Sequence, residues 1–373
     1  MKIGIDARPL TKRLTGIGIY IYHVLNELAK NDPDNEYYLY ATNEFSESVA
    51  NPRWRQITGR GPFSVNGTLY FETVLTNRLN KDKIDVFWGT QHVLPLNHRG
   101  NCILTIHDFA WMEFPETIER FNLLVQKLFL KRSIMKADHI ISVSYATAAY
   151  LKKYFHVPEE KISVIHHGLS DIYKPFDKGE SAAYISRKYG TAKDYILTVG
   201  TVEPRKNIAA LLRAYKTLLE KGEIKDQLLI VGARGWKNSN IIHVYRELRL
   251  NEDIVKFLGY IEMDDMPRLY SGANLFVFPS LYEGFGFPPL EAMKCGCPVV
   301  VAKTSSLPEV CREAAYYVEP RNIQSISAGI REVQNNDNLR NKLICSGLKH
   351  VKEFTWNKCA GETLQAIYRS TSE

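Results

Sequence analysis

Two carboxylates and two cations offer the most distinct chemistry in this sequence. In Phe276–Val301, FVFPSLYEGFGFPPLEAMKCGCPVVV, an apolar strand-like run ends at Pro279, and a loop follows with Glu283, Gly284 and Gly286. Pro288-Pro289 then open a helical pattern that contains Glu291. Glycine lets backbone N–H groups approach a ligand closely. A helix start offers donors and the positive end of its dipole to a phosphate, and proline at the first helical positions loses no needed hydrogen bond. Carboxylates beside such an anion site can accept hydrogen bonds from hydroxyls. A nucleotide diphosphate sugar would fit, with hydroxyls on its hexose and its ribose and the diphosphate between them. On residue types alone, an acidic helix start plus a loop Glu is the competing reading. Arg205 and Lys206 stand in GTVEPRKN, directly after the strand-like Tyr195–Val199. Ligands of open α/β sheets bind at such carboxyl ends; Arg can grip a diphosphate bidentately and Lys acts as a point charge. A solvated basic helix start is the alternative there.

Other constellations are less specific. VGARG, Val231–Gly235, either borders the same site or forms a tight turn. Thr15-Gly16-Ile17-Gly18 reads as a glycine loop between the first strand and a helix, although G-x-G alone is a weak sign. His107-Asp108 follows another strand at its carboxyl end and could be a functional pair or a satisfied turn. His166-His167-Gly168 has no third ligand at fixed spacing, so a turn is favoured over a metal site. Cys295-Gly296-Cys297 lies between helix and strand, where cysteine packs as a small apolar residue. The helical stretch Arg120–Lys136, RFNLLVQKLFLKRSIMK, reads as a packed helix with a wet basic side, or as an attachment to an anionic membrane surface.

These residues need a scaffold, and the chain has room for one. Its 373 residues suggest two domains, each with its own core. Apolar residues make up 45% and no run approaches a membrane span. Six cysteines are too sparse for a disulfide framework, and the opening MKIGID enters a strand without a signal-peptide profile, so a cytoplasmic protein is expected. The net charge of +7 comes without a basic run, which argues against a nucleic-acid partner. Short β-branched runs alternate with helical periods throughout: Lys2–Asp6, Tyr37–Ala41, Val86–Trp88, Cys102–Ile106, His139–Val143 and Ile162–Ile165 in the first half. Tyr195–Val199, Gln227–Val231, Ile254–Leu258, Leu275–Pro279, Pro298–Ala302 and Ala315–Val318 do the same in the second. Both halves therefore read as doubly wound α/β units. The expected boundary lies in the Pro- and Gly-interrupted Leu169–Glu180, giving domains at 1–172 and 173–355, with an amphipathic helix over 356–373 returning to the first.

Several ordered motifs then resemble the retaining glycosyltransferases of family four, the group that includes sucrose, mannosyl- and glucosyltransferases. The arrangement E-x7-E of Glu283–Glu291 with its flanks, GTVEPRKN, the opening KIGIDARPLTKRLTGIGIY, TIHDFAWMEFPE, ADHIISVSYAT and the closing FTWNKCAGETLQAIY all match in order. The resemblance covers nearly the whole chain and implies the GT-B fold, two Rossmann-like domains facing across a cleft. It further implies that Glu283 faces the donor sugar, oriented by N–H groups near Phe285, Gly286 and Phe287, and that Glu291 holds the ribose hydroxyls. Arg205 and Lys206, helped by the helix start near Leu290, would neutralise the diphosphate leaving group in place of a metal. Gly16 and Gly18 would approach the donor phosphate and acceptor. His107 would bind the donor sugar, at its 6-hydroxyl, or shape the acceptor pocket. One departure is Thr201, where many relatives carry Arg after the glycine.

The implied activity is a hexosyl transfer, with retention and by a same-face route in which the departing phosphate oxygen takes the acceptor's proton. UDP-glucose ranks as first donor and GDP-mannose as second. The expected acceptor is a hydroxyl of a glycan or lipid-linked glycan in polysaccharide or cell-envelope synthesis, reached through peripheral attachment to the inner face of the membrane. No cofactor and no metal are expected. A catalytically silent sugar-nucleotide-binding scaffold is the alternative, but it predicts a broken carboxylate or cationic site. A nicotinamide dehydrogenase is disfavoured, because no G-x-G-x-x-G with a later acidic residue occurs in the proper context.

Overall fold

The computed structural model describes residues 1–11, 16–45, 54–59, 75–95, 97–115, 120–233, 235 and 239–371, with side chains in the helix Arg120–Lys136 described from 127 onward. The chain forms two units. The first comprises Met1–Phe109, Ile118–Gly168 and Phe354–Glu373; the second comprises Ala110–Thr117 and Leu169–Glu353.

The first unit is built on a seven-stranded sheet: β1 (Lys2–Asp6), β2 (Glu36–Ala41), β3 (Arg55–Thr58), β4 (Val86–Gly89), β5 (Asn101–Ile106), β6 (His139–Ser142) and β7 (Ile162–Val164), in the order β3-β2-β1-β4-β5-β6-β7. Every pairing is parallel. Central strands are covered on both faces, which is why they read as continuous apolar runs. β3 was not expected: its RQIT sequence is polar because it is an edge strand, exposed or half-buried along its length. The glycine loop also differs from expectation. The helix Gly16–Asn31 starts at Gly16, so Gly16 and Gly18 lie in its first turn, with Gly18 buried. Tyr20, Ile21, Val24, Leu25 and Leu28 supply its core stripe. Thr355 caps the closing helix Trp356–Arg369 by accepting from the Lys358 N–H. That helix buries Trp356, Cys359, Ala360, Thr363 and Ile367 at helical spacing, stacks Trp356 on His23 with ring centres 4.8 Å apart, and takes a hydrogen bond from Asn101 Nδ2 to the Ser370 carbonyl at 2.7 Å.

The second unit holds β8 (Tyr195–Val199), β9 (Gln227–Val231), β10 (Val255–Gly259), β11 (Leu275–Phe278), β12 (Val299–Ala302) and β13 (Tyr316–Val318), in the order β10-β9-β8-β11-β12-β13. These pairings are also all parallel. This is the dinucleotide-fold order, whose direction reverses between β8 and β11. The helix Ile208–Glu220 buries Leu211, Leu212, Tyr215 and Leu218 against the sheet. Tyr215 ends in hydrogen bonds to the carbonyls of Asp226 and Ile254. The stretch expected as linker is partly ordered: Asp177 accepts from the Glu180 N–H and starts the helix Lys178–Tyr189.

Near the carboxyl edge of the first sheet, His107 stacks between His92 and His167 at 5.6 and 5.7 Å, and Tyr20 lies against His107 and His167. The His107 N–H donates to His92 Nε2 at 3.0 Å, and His107 Nε2 bonds the Thr90 carbonyl at 2.8 Å. Burial lowers all three imidazoles, His107 to about 3, His92 against the opposing pull of Asp108, and His167 well below its ordinary value. The unfolded chain binds these protons near pH 6.5 and the folded unit does not. The cluster's contribution is therefore full above pH 6.5 and is lost as pH falls toward the folded values, at about 1.4 kcal/mol per pH unit for each histidine. Acid titration followed by near-ultraviolet circular dichroism should show that slope, and His107→Gln should flatten it by about 1.4 kcal/mol per pH unit. An unchanged slope would show that the cluster is not its source.

Candidate active site

The site grows from the reversal point of the second sheet. β8 and β11 are neighbours, with Leu275 opposite Ile196 and Phe276 opposite Leu197, so the loops leaving their carboxyl ends must lie side by side. After β8, Pro204–Lys206 make a single 3₁₀ turn that ends at Asn207, in left-handed conformation with φ 58°. Asn207 Nδ2 donates to the Pro279 carbonyl at 3.0 Å and to the Pro320 carbonyl at 2.6 Å, and the Leu281 N–H donates to the Arg205 carbonyl at 2.8 Å. These bonds lock the two loops together. The loop after β12 props the second one from behind. Ser305 Oγ accepts from the Glu283 N–H at 2.8 Å, while Ser306 Oγ bonds the Glu283 and Phe285 carbonyls at 3.0 and 2.6 Å.

Four charged side chains converge there. Lys206 Nζ donates to Glu283 Oε1 at 2.6 Å, and Arg205 NH1 donates to Glu283 Oε2 at 3.1 Å and to the Tyr282 carbonyl at 2.9 Å. The other edge of the Arg205 guanidinium, Nε and NH2, reaches Glu203 Oε1 at 3.0 and 2.7 Å. Lys206 Nζ also sits over the Phe278 ring, 4.9 Å from its centre. Burial pushes the Glu283 carboxyl up, but Lys206 and then Arg205 outweigh it, so the group is held below its ordinary value and stays ionised. Burial lowers Lys206, with Arg205 adding to the effect and Glu283 opposing it. Glu203 is the residue that sequence reasoning missed; a Glu before Pro at a turn start reads as an ordinary surface acid.

VGARG turns out to brace this site. The Gly200 N–H donates to the Val231 carbonyl, Val202 N–H to that of Ala233, and Gly235 N–H to that of Val202, at 2.8, 3.0 and 3.1 Å. The backbones come so close that a Cβ on Gly232, at φ 142°, would stand 2.1 Å from the Gly200 carbonyl oxygen. Gly200 itself leaves room for the Lys206 stem, which would lie 3.2 Å from a Cβ there.

Glu291 lies on the helix Phe287–Lys294, capped by Gly286. Tyr270 donates to Glu291 Oε2 at 2.8 Å. Burial pushes the carboxyl up to about 7, against the opposing hydrogen bonds of Tyr270 and Tyr173. In a helix that begins at Phe287, Pro288 and Pro289 carry no N–H, and the Leu290 N–H is the first after them. The Leu290 side chain is fully buried. Phe285 and Phe287 pack edge to face at 5.3 Å.

The remaining expected residues belong to the first unit: Gly16 and Gly18 on the first helix, His107 after β5. Cys295 and Cys297 are buried thiols that burial raises, Cys297 to about 12. Among the described residues no three His, Cys, Asp or Glu side chains are placed to hold a metal ion, and no helix is long and apolar enough to cross a membrane.

Residues 14–171 match the family model for Glycosyltransferase Family 4, and 185–350 match Glycosyl transferases group 1. An O-antigen chain mannosyltransferase B from Escherichia coli is 30% identical, over 98% of this chain and 99% of the relative. The chain belongs to glycosyltransferase family four. Solved structures agree on the fold of this glycosyltransferase. A sucrose-phosphate synthase from Thermosynechococcus elongatus matches with TM-score 0.77 at 20% identity, covering 99% of this chain and 98% of that one. Anabaena HepE in complex with UDP-glucose matches with TM-score 0.74 at 18% identity, covering 98% and 99%. The fold is GT-B.

If the Glu283–Lys206 pair stabilises this glycosyltransferase, removing one partner leaves the other poorly compensated. Lys206→Met should cost about 3 kcal/mol, and the double variant Lys206→Met/Glu283→Gln should recover at least about 1 kcal/mol of it. Urea unfolding followed by tryptophan fluorescence measures both. Strict additivity would mean that the pair is not coupled.

Proposed function

We propose that this glycosyltransferase moves mannose from GDP-mannose to a hydroxyl of a growing glycan in polysaccharide synthesis, with retention at the anomeric carbon and without a metal ion. The observation that carries the reading is the buried Glu283 carboxylate, ion-paired to Lys206 and Arg205 at the reversal point of the second sheet. Positive charge beside a helix start suits a diphosphate, and a carboxylate suits sugar hydroxyls. The mannosyltransferase relative at 30% identity supports mannose, and on that ground we rank GDP-mannose ahead of UDP-glucose, the first choice of the sequence reading.

In this reading Lys206 stabilises the charge that develops on the departing phosphate, Glu283 accepts from sugar hydroxyls, and Glu291 accepts from the ribose. The N-terminus of the helix Phe287–Lys294 completes the diphosphate site. The acceptor oxygen bonds to the anomeric carbon as the sugar–phosphate bond breaks on the same face, and the acceptor's proton passes to the departing phosphate oxygen. A double displacement would need a nucleophilic carboxylate. Glu283 suits that poorly, since each of its oxygens already meets a cation and its basicity is lowered. Gly16, Gly18 and His107 are assigned to acceptor recognition in the first unit. The helix Arg120–Lys136 mixes apolar and basic residues on its exposed side, which fits a packed helix better than a membrane anchor. It buries Leu130 and Ile134 and leaves Leu128 and Met135, 52% and 75% exposed, among the exposed Lys127, Lys131 and Arg132.

Calorimetry with GDP and UDP, with and without EDTA, together with the anomeric configuration of the product by NMR, tests this reading. GDP binding that ignores EDTA, and an α-linked product from the α-linked donor, are expected. An inverted product would refute retention, and binding without any turnover would favour the silent scaffold. Because burial sets Glu291 near 7, and ribose hydroxyls donate best to the ionised form, GDP affinity should rise up to about tenfold between about pH 6 and 8. Glu291→Gln should make that profile flat.

A further inference from the structure

Building on the reading above, we propose that Arg205 is a positioning residue and not a ligand of the diphosphate, that Glu203 anchors it, and that Lys206 alone meets the leaving phosphate. Guanidinium is planar, and its donors point along two edges in a fixed fork. Here four of its five N–H donors are committed within the protein by the bonds described. The edge carrying Nε and NH2 closes on Glu203 Oε1 at 3.0 and 2.7 Å, and NH1 bridges the Tyr282 carbonyl and Glu283 Oε2 at 2.9 and 3.1 Å. The backbone of the same residue is held as well, its carbonyl accepting from the Leu281 N–H at 2.8 Å.

Swinging Arg205 onto a phosphate would break charge-assisted bonds to two carboxylates and strip the Tyr282 carbonyl of a donor, a cost even for the partly buried Arg205–Glu203 pair. Lys206 is built differently. Its ammonium has three donors on a flexible stem. The one side-chain hydrogen bond described for it goes to Glu283 Oε1, and its stem runs over Gly200, where no side chain obstructs it. An ammonium can trade one partner for a phosphate oxygen while keeping its place over Phe278. Glu203 thus acts through Arg205 on the orientation of Glu283, the carboxylate assigned to the donor sugar. It sits where that is possible, two residues upstream on the same turn, with its Cβ 3.2 Å from the Cβ that Gly235 would carry.

The full-length enzyme with Arg205→Gln, Glu203→Ala, Glu203→Gln or Lys206→Ala tests the division of labour, using GDP as the binding probe and GDP-mannose turnover as the kinetic one. Lys206→Ala should weaken GDP binding by at least about tenfold. Arg205→Gln and Glu203→Ala should change GDP binding by less than about threefold yet lower kcat roughly 10- to 100-fold. Glu203→Gln, which still accepts a hydrogen bond from the guanidinium, should recover most of the lost kcat. The acid limb of kcat gives a readout that mere loosening would not move. Without Arg205 against it, Glu283 titrates higher, so the limb should shift to higher pH in Arg205→Gln and Glu203→Ala. If Arg205→Gln loses GDP affinity as Lys206→Ala does, a bound donor recruits the guanidinium and this proposal is wrong, while the glycosyl-transfer reading stands. If wild type binds no nucleoside diphosphate, the underlying reading fails and this one with it. Should Glu203→Ala unfold, equal GDP affinity in Glu203→Gln and Lys206→Ala overturns the anchor role.

Discussion

A carboxylate cannot be buried alone, and the second unit is organised around that constraint. Glu283 lies in a loop propped by Ser305 and Ser306 and shielded from water, so its charge has to be met from within the protein. β8, paired with β11 where the parallel order reverses, ends beside that loop and supplies the cations. That single adjacency explains several otherwise unrelated residues. Asn207 takes a left-handed backbone so that its amide can tie both loops. Gly200 gives way to the Lys206 stem, and Gly232 lets the third loop press its backbone against the first. Each would be a weak choice by local preference; together they hold two cations within hydrogen-bonding distance of one carboxylate.

Much of this was legible in the sequence because it obeys local rules. Fully covered parallel strands leave apolar runs, so Tyr195–Val199 and Gln227–Val231 could be read to the residue. The cations and carboxylates follow strand ends, where an α/β sheet binds its ligands. What escaped reading depends on contacts distant in sequence. β3 is a strand only because β2 lies beside it, since RQIT has no apolar run. Glycine at 16 and 18 suggested a loop, yet the chain is already helical there because Tyr20 and Ile21 are drawn into the core on the same turn. Glu203 was invisible because its partner's role, and so its own, rests on a carboxylate some eighty positions away, with Arg205 spanning 78 residues to Glu283.

The two units share a topology but treat charge in opposite ways. Beyond its strand ends the first gathers His92, His107 and His167 with Tyr20, imidazoles that burial keeps neutral and capable of both donating and accepting. Beyond its own strand ends the second gathers two cations and two carboxylates. Uncharged rings and amphoteric nitrogens suit hydroxyl-rich, neutral ligands, whereas a dense ionic cluster suits a diphosphate. The doubly wound fold dictates where each set of loops emerges and nothing about their chemistry. The divergence lies in the residues placed on those loops.

Pairing Lys206 with Glu283 also has a consequence for order. Each oxygen of Glu283 meets a different cation, Oε1 that of Lys206 and Oε2 that of Arg205. On the proposed reading, a diphosphate that draws the ammonium toward itself releases Oε1 and leaves Oε2 held by the guanidinium. The carboxylate then presents one oxygen to a sugar hydroxyl without changing its orientation, since the second cation and the Ser305 hydrogen bond to its backbone both persist. Sugar recognition is thereby linked to phosphate binding. A free sugar would have to compete with the ammonium for Oε1, whereas one attached to a diphosphate arrives with the group that removes the competitor. Such a site favours the intact donor over its separate parts without needing any motion of the backbone.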